Sequence, residues 1–216
     1  MAVRKVHGGI ALALGVPLGA IGAALMKHGS FGLTPFYSVS LALVEATGHF
    51  TMGFWNTVFQ VALILGLIVI LRKWKLRYPL SFAVAAVSSA VLDGANAVCA
   101  GFPHTLPIRI LCYAAGFLVM CLGIALMAEC KLPVAPMNLF VRELAEERGK
   151  PFRRVKLVFD ICCLLLSLTV SLCFTGRVSS GIGVGTILSA FLTGPLSGFY
   201  ISRLRRQLTF ENHLSV

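Results

Sequence analysis

The sequence predicts an all-α integral membrane protein with six transmembrane helices, built as two inverted-topology three-helix repeats. Three observations predict it. The chain of 216 residues is 57% hydrophobic and only 12% charged, with a mean hydropathy of +0.88, whereas a soluble domain carries about a quarter charged residues. Its lysines and arginines fall almost entirely on one side of the apolar runs. A segment within one of those runs, Ser89-Ala90-Val91-Leu92-Asp93-Gly94, recurs one hundred positions later as Ser189-Ala190-Phe191-Leu192-Thr193-Gly194.

Apolar runs at about 8–27, 53–71, 79–101, 108–128, 156–175 and 181–201 are each long enough to cross roughly 30 Å of hydrocarbon as a helix. The first follows Arg4 and Lys5 and has the form of a signal peptide. Its counterpart in the middle of the chain, where no signal can stand, predicts that the mature protein keeps it. The second has no polar side chain from Val61 to Leu71 and is bracketed by Trp55 and Trp74, as interfacial rings prefer. The sixth is rich in glycine and small polar residues, so it is expected inside the bundle rather than against lipid. Pro195 offers that helix a break near mid-depth. The spacings Gly15-xxx-Gly19 and Gly194-xxx-Gly198 permit close helix approach.

With the N-terminus inside, sixteen of the nineteen lysines and arginines lie on the cytoplasmic side. They are Arg4, Lys5, Arg72, Lys73, Lys75, Arg77, Lys131, Arg142, Arg148, Lys150, Arg153, Arg154, Lys156, Arg203, Arg205 and Arg206. Only Lys27, Arg109 and Arg177 face outward. Such a bias over short loops follows the positive-inside rule, and it reads the formal net charge of +11 as a topology signal rather than a nucleic-acid surface. Both termini are then cytoplasmic.

The repeat extends beyond the opening motif. Gly15, Gly22, Leu25 and Met26 recur as Gly116, Gly123, Leu126 and Met127, and Pro35 and Gly48 as Pro136 and Gly149. After a one-residue slip Asn56 pairs with Lys156, Phe59 with Phe159 and Gln60 with Asp160. The expected units are residues 1–104, residues 105–206 and a polar cytoplasmic tail at 207–216. Three spans per half is an odd number, so the second half enters the membrane inverted, which places a substrate site near the midplane between the halves. Each half also carries a shorter segment between its first two spans. Residues 136–149 show an apolar face (Met137, Phe140, Val141, Leu144) against Arg142, Glu143, Glu146 and Glu147, the pattern of a helix lying on the cytoplasmic surface. Its mate, 33–48, carries Phe36, Val39 and Leu43 at the same spacing with few charges. It reads either as a surface helix or as a re-entrant one.

The run from Gly183 to Gly198 resembles the closing helix of the bacterial YitT/YczE family of membrane proteins. Lys156-Leu157-Val158-Phe159-Asp160 and Gly53-Phe54-Trp55-Asn56-Thr57-Val58-Phe59-Gln60 resemble the entries to that family's fifth and second spans. The likeness covers essentially the whole chain and implies a place in the inner membrane of a bacterium. It implies the shorter YczE-like branch, because the C-terminal soluble domain of the YitT branch has no counterpart, and it implies no catalytic residue.

Polar residues within the runs mark the expected site. Asp93 falls near the middle of the third span, where an ionised carboxylate costs at least about 2.5 kcal/mol unless it faces protein, water or a cation. Ser89 and Asn96 share its helical face. The sixth span presents Thr186, Ser189, Thr193 and Ser197 as one stripe, expected to face Asp93 across the central axis. Asn56 with Gln60, and Lys156 with Asp160, read either as helix glue and an interfacial ion pair or as outer and inner gates. The expected function is a small permease alternating around Asp93, which would bind a proton, a cation or a substrate amine. The alternative is an accessory protein scaffolding a partner through helix 136–149 and its basic loop. No Ser/His/Asp constellation, metal spacing or phosphate loop supports an enzyme. Seven cysteines without a CxxC read as small buried hydrophobes, and the five histidines as interface residues. No cofactor is expected. The partners are the lipid bilayer and an unidentified small solute, with a homodimer left open.

Overall fold

The structure, a computed structural model, describes residues 4–72, 77–129 and 135–211. Six of its helices are long and apolar enough to cross a membrane, among the described residues. In chain order the helices are α1 (Gly8–Gly29), α2 (Pro35–Thr47), α3 (Met52–Leu71), α4 (Arg77–Cys99), α5 (Leu106–Glu129), α6 (Pro136–Glu147), α7 (Phe152–Thr175) and α8 (Val184–Gln207). α2 and α6 are the short ones. Two terminal strands, β1 (Arg4–His7) and β2 (Leu208–Glu211), pair in parallel. That pairing holds the two chain ends at one end of the bundle, as an even number of spans requires. It also gives structure to the first residues of the expected polar tail. We call this end, which carries Arg142, Arg153 and Arg206, the basic end. Lys73, Lys75, Lys131, Trp74, Cys130 and the tail from residue 212 lie outside the described residues.

The centre of the bundle is the α1–α5 pair, the first helix of each half. A Cβ at Gly22 would stand 2.6 Å from the Gly116 carbonyl, and one at Gly116 would stand 2.6 Å from the Gly22 carbonyl. Gly15 and Gly123 meet in the same reciprocal way at the other end of the crossing. Because the sequence repeat equates Gly15 with Gly116 and Gly22 with Gly123, these two contacts are images of each other. That is what a two-fold relation between halves demands. The remaining pairings obey it as well: α1–α4 answers α5–α8, α2–α7 answers α6–α3, and α3–α4 answers α7–α8.

This core corrects two expectations. The most enclosed spans are α1 and α5, with 50% and 44% of their most apolar stretches buried, against 28% for α8. The sixth span is therefore peripheral, with Val184 and Phe191 on the outside, and Gly198 has nothing near enough to use its missing side chain. Nor does Pro195 break the helix, since α8 runs unbroken through it. The exposed valines, leucines and phenylalanines around the bundle form the apolar belt that hydrocarbon requires. At the far end Phe50, Phe54 and Trp55 cluster ring against ring, an interfacial aromatic patch. Four of the described cysteines are buried, while Cys162 and Cys173 are exposed on α7.

The third correction matters most for the site. Helix α6 does not lie on a surface. Pro136, Met137, Asn138, Leu139, Val141, Glu143 and Ala145 are all buried, and only its C-terminal end, from Glu146, is exposed at the basic end. Helix α2 is built the same way, buried over Pro35 to Ala42 except for half-buried Tyr37 and exposed at Glu45 and Thr47 at the far end. Its first turn lies level with the middle of α7, because Ser167 Oγ donates to the Ser38 carbonyl at 3.0 Å. Both are thus half-helices starting inside the molecule and running out to opposite ends. Proline at the first turn starts each, where its missing N–H costs nothing. Segment 33–48 therefore does not lie along the outside of the bundle as a surface helix would, and its buried start is what the re-entrant alternative asks for.

Candidate functional site

The starts of α2 and α6 converge on one central cavity of about 40 Å³. Thr34, Phe36 and Tyr37 line it from one half, and Ala135, Met137 and Asn138 from the other. These are matched positions of the repeat, so the cavity sits where the two halves meet. Gln60, Ser88, Lys156 and Thr193 complete its polar wall, and Met120, Ile124 and Met127 its apolar wall.

Three of the sequence-predicted residues, Gln60, Lys156 and Thr193, line this cavity, and Asn56 and Asp160 lie beside them. Gln60, 2% exposed, reaches Ser88 Oγ through Nε2 at a long 3.5 Å, and its Oε1 has no partner. Lys156 Nζ meets Asp160 Oδ1 at 2.5 Å, with both side chains buried. Thr193 turns its hydroxyl to the Ser189 carbonyl at 2.6 Å while lining the cavity. One turn from Gln60, Asn56 Nδ2 donates to Ser89 Oγ at 3.0 Å, joining α3 to α4, and its Oδ1 is unpartnered.

The others are elsewhere. Asp93 is not at mid-depth: it stands level with the first turn of α3. Its Oδ2 accepts from Thr51 Oγ1 at 2.6 Å and its Oδ1 from the Gly53 N–H at 2.8 Å. Thr51 is itself the N-cap of α3, accepting from the Phe54 N–H. Asp93 thereby extends that cap, a placement favoured by the free N–H groups and positive dipole of a helix start. Asn96 only approaches Met52 Sδ, at 3.9 Å. Thr186 donates to the Gly181 carbonyl and accepts from the Gly183 N–H, tying down the start of α8, and Ser189 donates to the Thr186 carbonyl. Three of the four stripe hydroxyls, those of Thr186, Ser189 and Thr193, thus bond to backbone in or just before α8. Ser197 Oγ has no hydrogen-bond partner, and no hydrogen bond among the described residues joins the stripe to Asp93, contrary to expectation.

Sequence reasoning missed Asn138. Its side chain is 6% exposed, and neither its Nδ2 nor its Oδ1 has a hydrogen-bond partner. A signal for it was present: Pro136 opens a short segment whose mate opens at Pro35. Paired short segments in corresponding positions of inverted halves point to where such proteins bind. The described histidines form no metal constellation with cysteines or acids, although His28 packs against His104 at the far end.

Six spans around two inward-starting half-helices define a polytopic membrane protein with a polar centre. The chain belongs to a family of unknown function, DUF6198, whose model matches residues 7–202. It is 22% identical over 207 residues to the uncharacterised protein YyaS of Bacillus subtilis, covering 92% of this chain and 94% of that protein. No solved structure matches it. The family established in this way is DUF6198, and the YitT/YczE resemblance remains a likeness of motifs.

Proposed function

We propose that the protein is a small-solute permease of the cytoplasmic membrane, its basic end facing the cytoplasm, which carries its solute through the central cavity. The observation that carries this reading is the Asn138 side chain, buried with both polar atoms unpartnered beside the equally unpartnered Gln60 Oε1. A buried amide without partners costs roughly 1–3 kcal/mol per group, and a solute or ordered water in the cavity would remove that cost. The two-fold arrangement supports it, since inverted halves offer two near-equivalent packings around one site. The accessory reading is narrowed, because the apolar face of α6 packs against α3 and α7 and leaves a partner only the exposed residues 146–151 with Arg153 and Arg154.

The test is solute uptake into proteoliposomes, screened across small polar compounds. Asn138→Leu, which keeps volume and removes the polar atoms, is expected to lower uptake at least tenfold while the protein still elutes as a folded species. A protein that kept full uptake in Asn138→Leu but lost it in Asp93→Asn would bind its solute at the α3 cap instead, and the cavity reading would be wrong.

A further inference from the structure

Resting on that reading, we infer that the cavity takes a small monovalent oxyanion, a short-chain carboxylate or an inorganic anion of similar shape. Two helix starts point at it. The N-cap of α2 is Thr34, whose hydroxyl makes no cap bond, and the N-cap of α6 is Ala135, which has none to make. Proline takes the first position of each helix, and the Asn138 N–H turns back to the Ala135 carbonyl at 2.9 Å. That leaves Phe36, Tyr37 and Met137 to supply the open N–H groups of the first turns, and the aligned peptides place about half a positive charge at each start. Two uncapped starts at one enclosed point form a setting for negative charge.

A second, independent observation is Asn138, which lines the same space with an unpartnered Nδ2 donor. The third is the charge of the wall. Lys156 lines the cavity while its partner Asp160 does not, and no carboxylate lines it among the described residues. An amine or metal cation would meet two helix starts and an ammonium; an oxyanion would meet donors from three directions. Size narrows the class further. A cavity of about 40 Å³ holds on the order of three water-sized groups, which suits formate, acetate or nitrate. Asp160 already offsets the single ammonium, so one negative charge is matched better than two. Met120, Met127 and Met137 supply a soft wall for a methyl or hydrogen end.

The test compares isosteres on the purified, detergent-solubilised full chain. Thermal unfolding is followed against sodium acetate, formate and nitrate, against acetamide and urea, and against methylammonium chloride, at constant ionic strength with chloride as the base salt. A saturable rise in melting temperature with acetate, formate or nitrate, and none with acetamide or methylammonium, is expected. Which anions act separates the carboxylate source from the inorganic one. The double variant Lys156→Gln with Asp160→Asn, which removes the ammonium without leaving an unpaired charge, should weaken the apparent affinity at least tenfold, and Asn138→Leu similarly. Acetamide acting as well as acetate, or a non-saturable rise with every salt, would overturn the inference. Flux separates it from the reading beneath it. Uptake of a neutral amide insensitive to anions defeats the anion site and leaves the permease; saturable anion binding with no flux of any solute defeats the permease and leaves the anion site.

Discussion

The α3–α4 seam and the α7–α8 seam occupy equivalent places in the two halves, yet they are built from opposite chemistry. The first is latched along its length. Asp93 holds the Gly53 N–H and Thr51 at one end, Asn56 holds Ser89 a turn further in, and Gln60 approaches Ser88 at the cavity. At the equivalent places the second seam has Arg153 for Gly53, Lys156 for Asn56, Asp160 for Gln60 and Thr193 for Asp93. No hydrogen bond between side chains crosses it among the described residues. Lys156 bonds within α7, and Ser189 and Thr193 bond within α8. A side pocket of about 50 Å³ opens there, lined by Arg153, Lys156, Gly194 and Pro195. Lys156 lines both this pocket and the central cavity. A symmetric scaffold thus carries one latched seam and one open seam whose pocket is lined by two cations, Arg153 and Lys156. The feature that breaks the symmetry is Lys156, the one of these two cations that also borders the central cavity.

The largest expected effect comes from removing it. Lys156→Met leaves Asp160, 2% exposed, as an unpaired buried carboxylate, which costs about 3–5 kcal/mol. Adding Asp160→Asn should recover most of that loss, because a neutral pair needs no counter-charge. Thermal unfolding in detergent measures both. A single variant as stable as the parent would mean that the pair is wet or the charge neutral, and the contrast between the seams would disappear.

The latched seam is tested next by Gly53→Ala. A Cβ there would lie 2.4 Å from Asp93 Oδ2 and 2.5 Å from the Ser89 carbonyl, so α3 and α4 must separate and the carboxylate must move. Forced overpacking of this kind costs about 1–3 kcal/mol. The same unfolding assay reads it, with proteolysis in the 48–52 loop as the local report. An unchanged melting point would show that the cap by Asp93 is not a tight one.

The residues that were legible in the sequence are those whose signal is a count along the chain. Six apolar lengths, the charge bias and the Gly15, Gly22, Gly116 and Gly123 register need no knowledge of depth. What was not legible is depth itself. Asp93 sits near the middle of its apolar run, but α4 extends past the start of α3, so the carboxylate arrives at a helix cap. In α6 the amphipathic face reads as a surface pattern because Met137, Val141 and Leu144 pack against protein, and hydrocarbon would ask for the same residues. Glu143, buried in that helix, carries no mark in the sequence that separates it from exposed Glu146. Lys156 and Asp160 were legible as a pair at helical spacing, although not as a pair facing a cavity, since that depends on where α6 begins.

The smallest effect is expected at the loose seam. Gly194 faces α7 with only Arg153 Cγ near it, at 3.6 Å, an ordinary contact for a side-chain carbon. Gly194→Ala therefore adds a methyl group without displacing backbone. It also removes an interior helix glycine, worth up to about 1 kcal/mol in propensity. The melting point should stay level or rise, where Gly53→Ala lowers it. Were Gly194→Ala to destabilise as strongly as Gly53→Ala, α7 and α8 would have to pack as closely as α3 and α4. The two seams would then be equivalent in geometry as well as in sequence position, and the side pocket beside Lys156 would be closed.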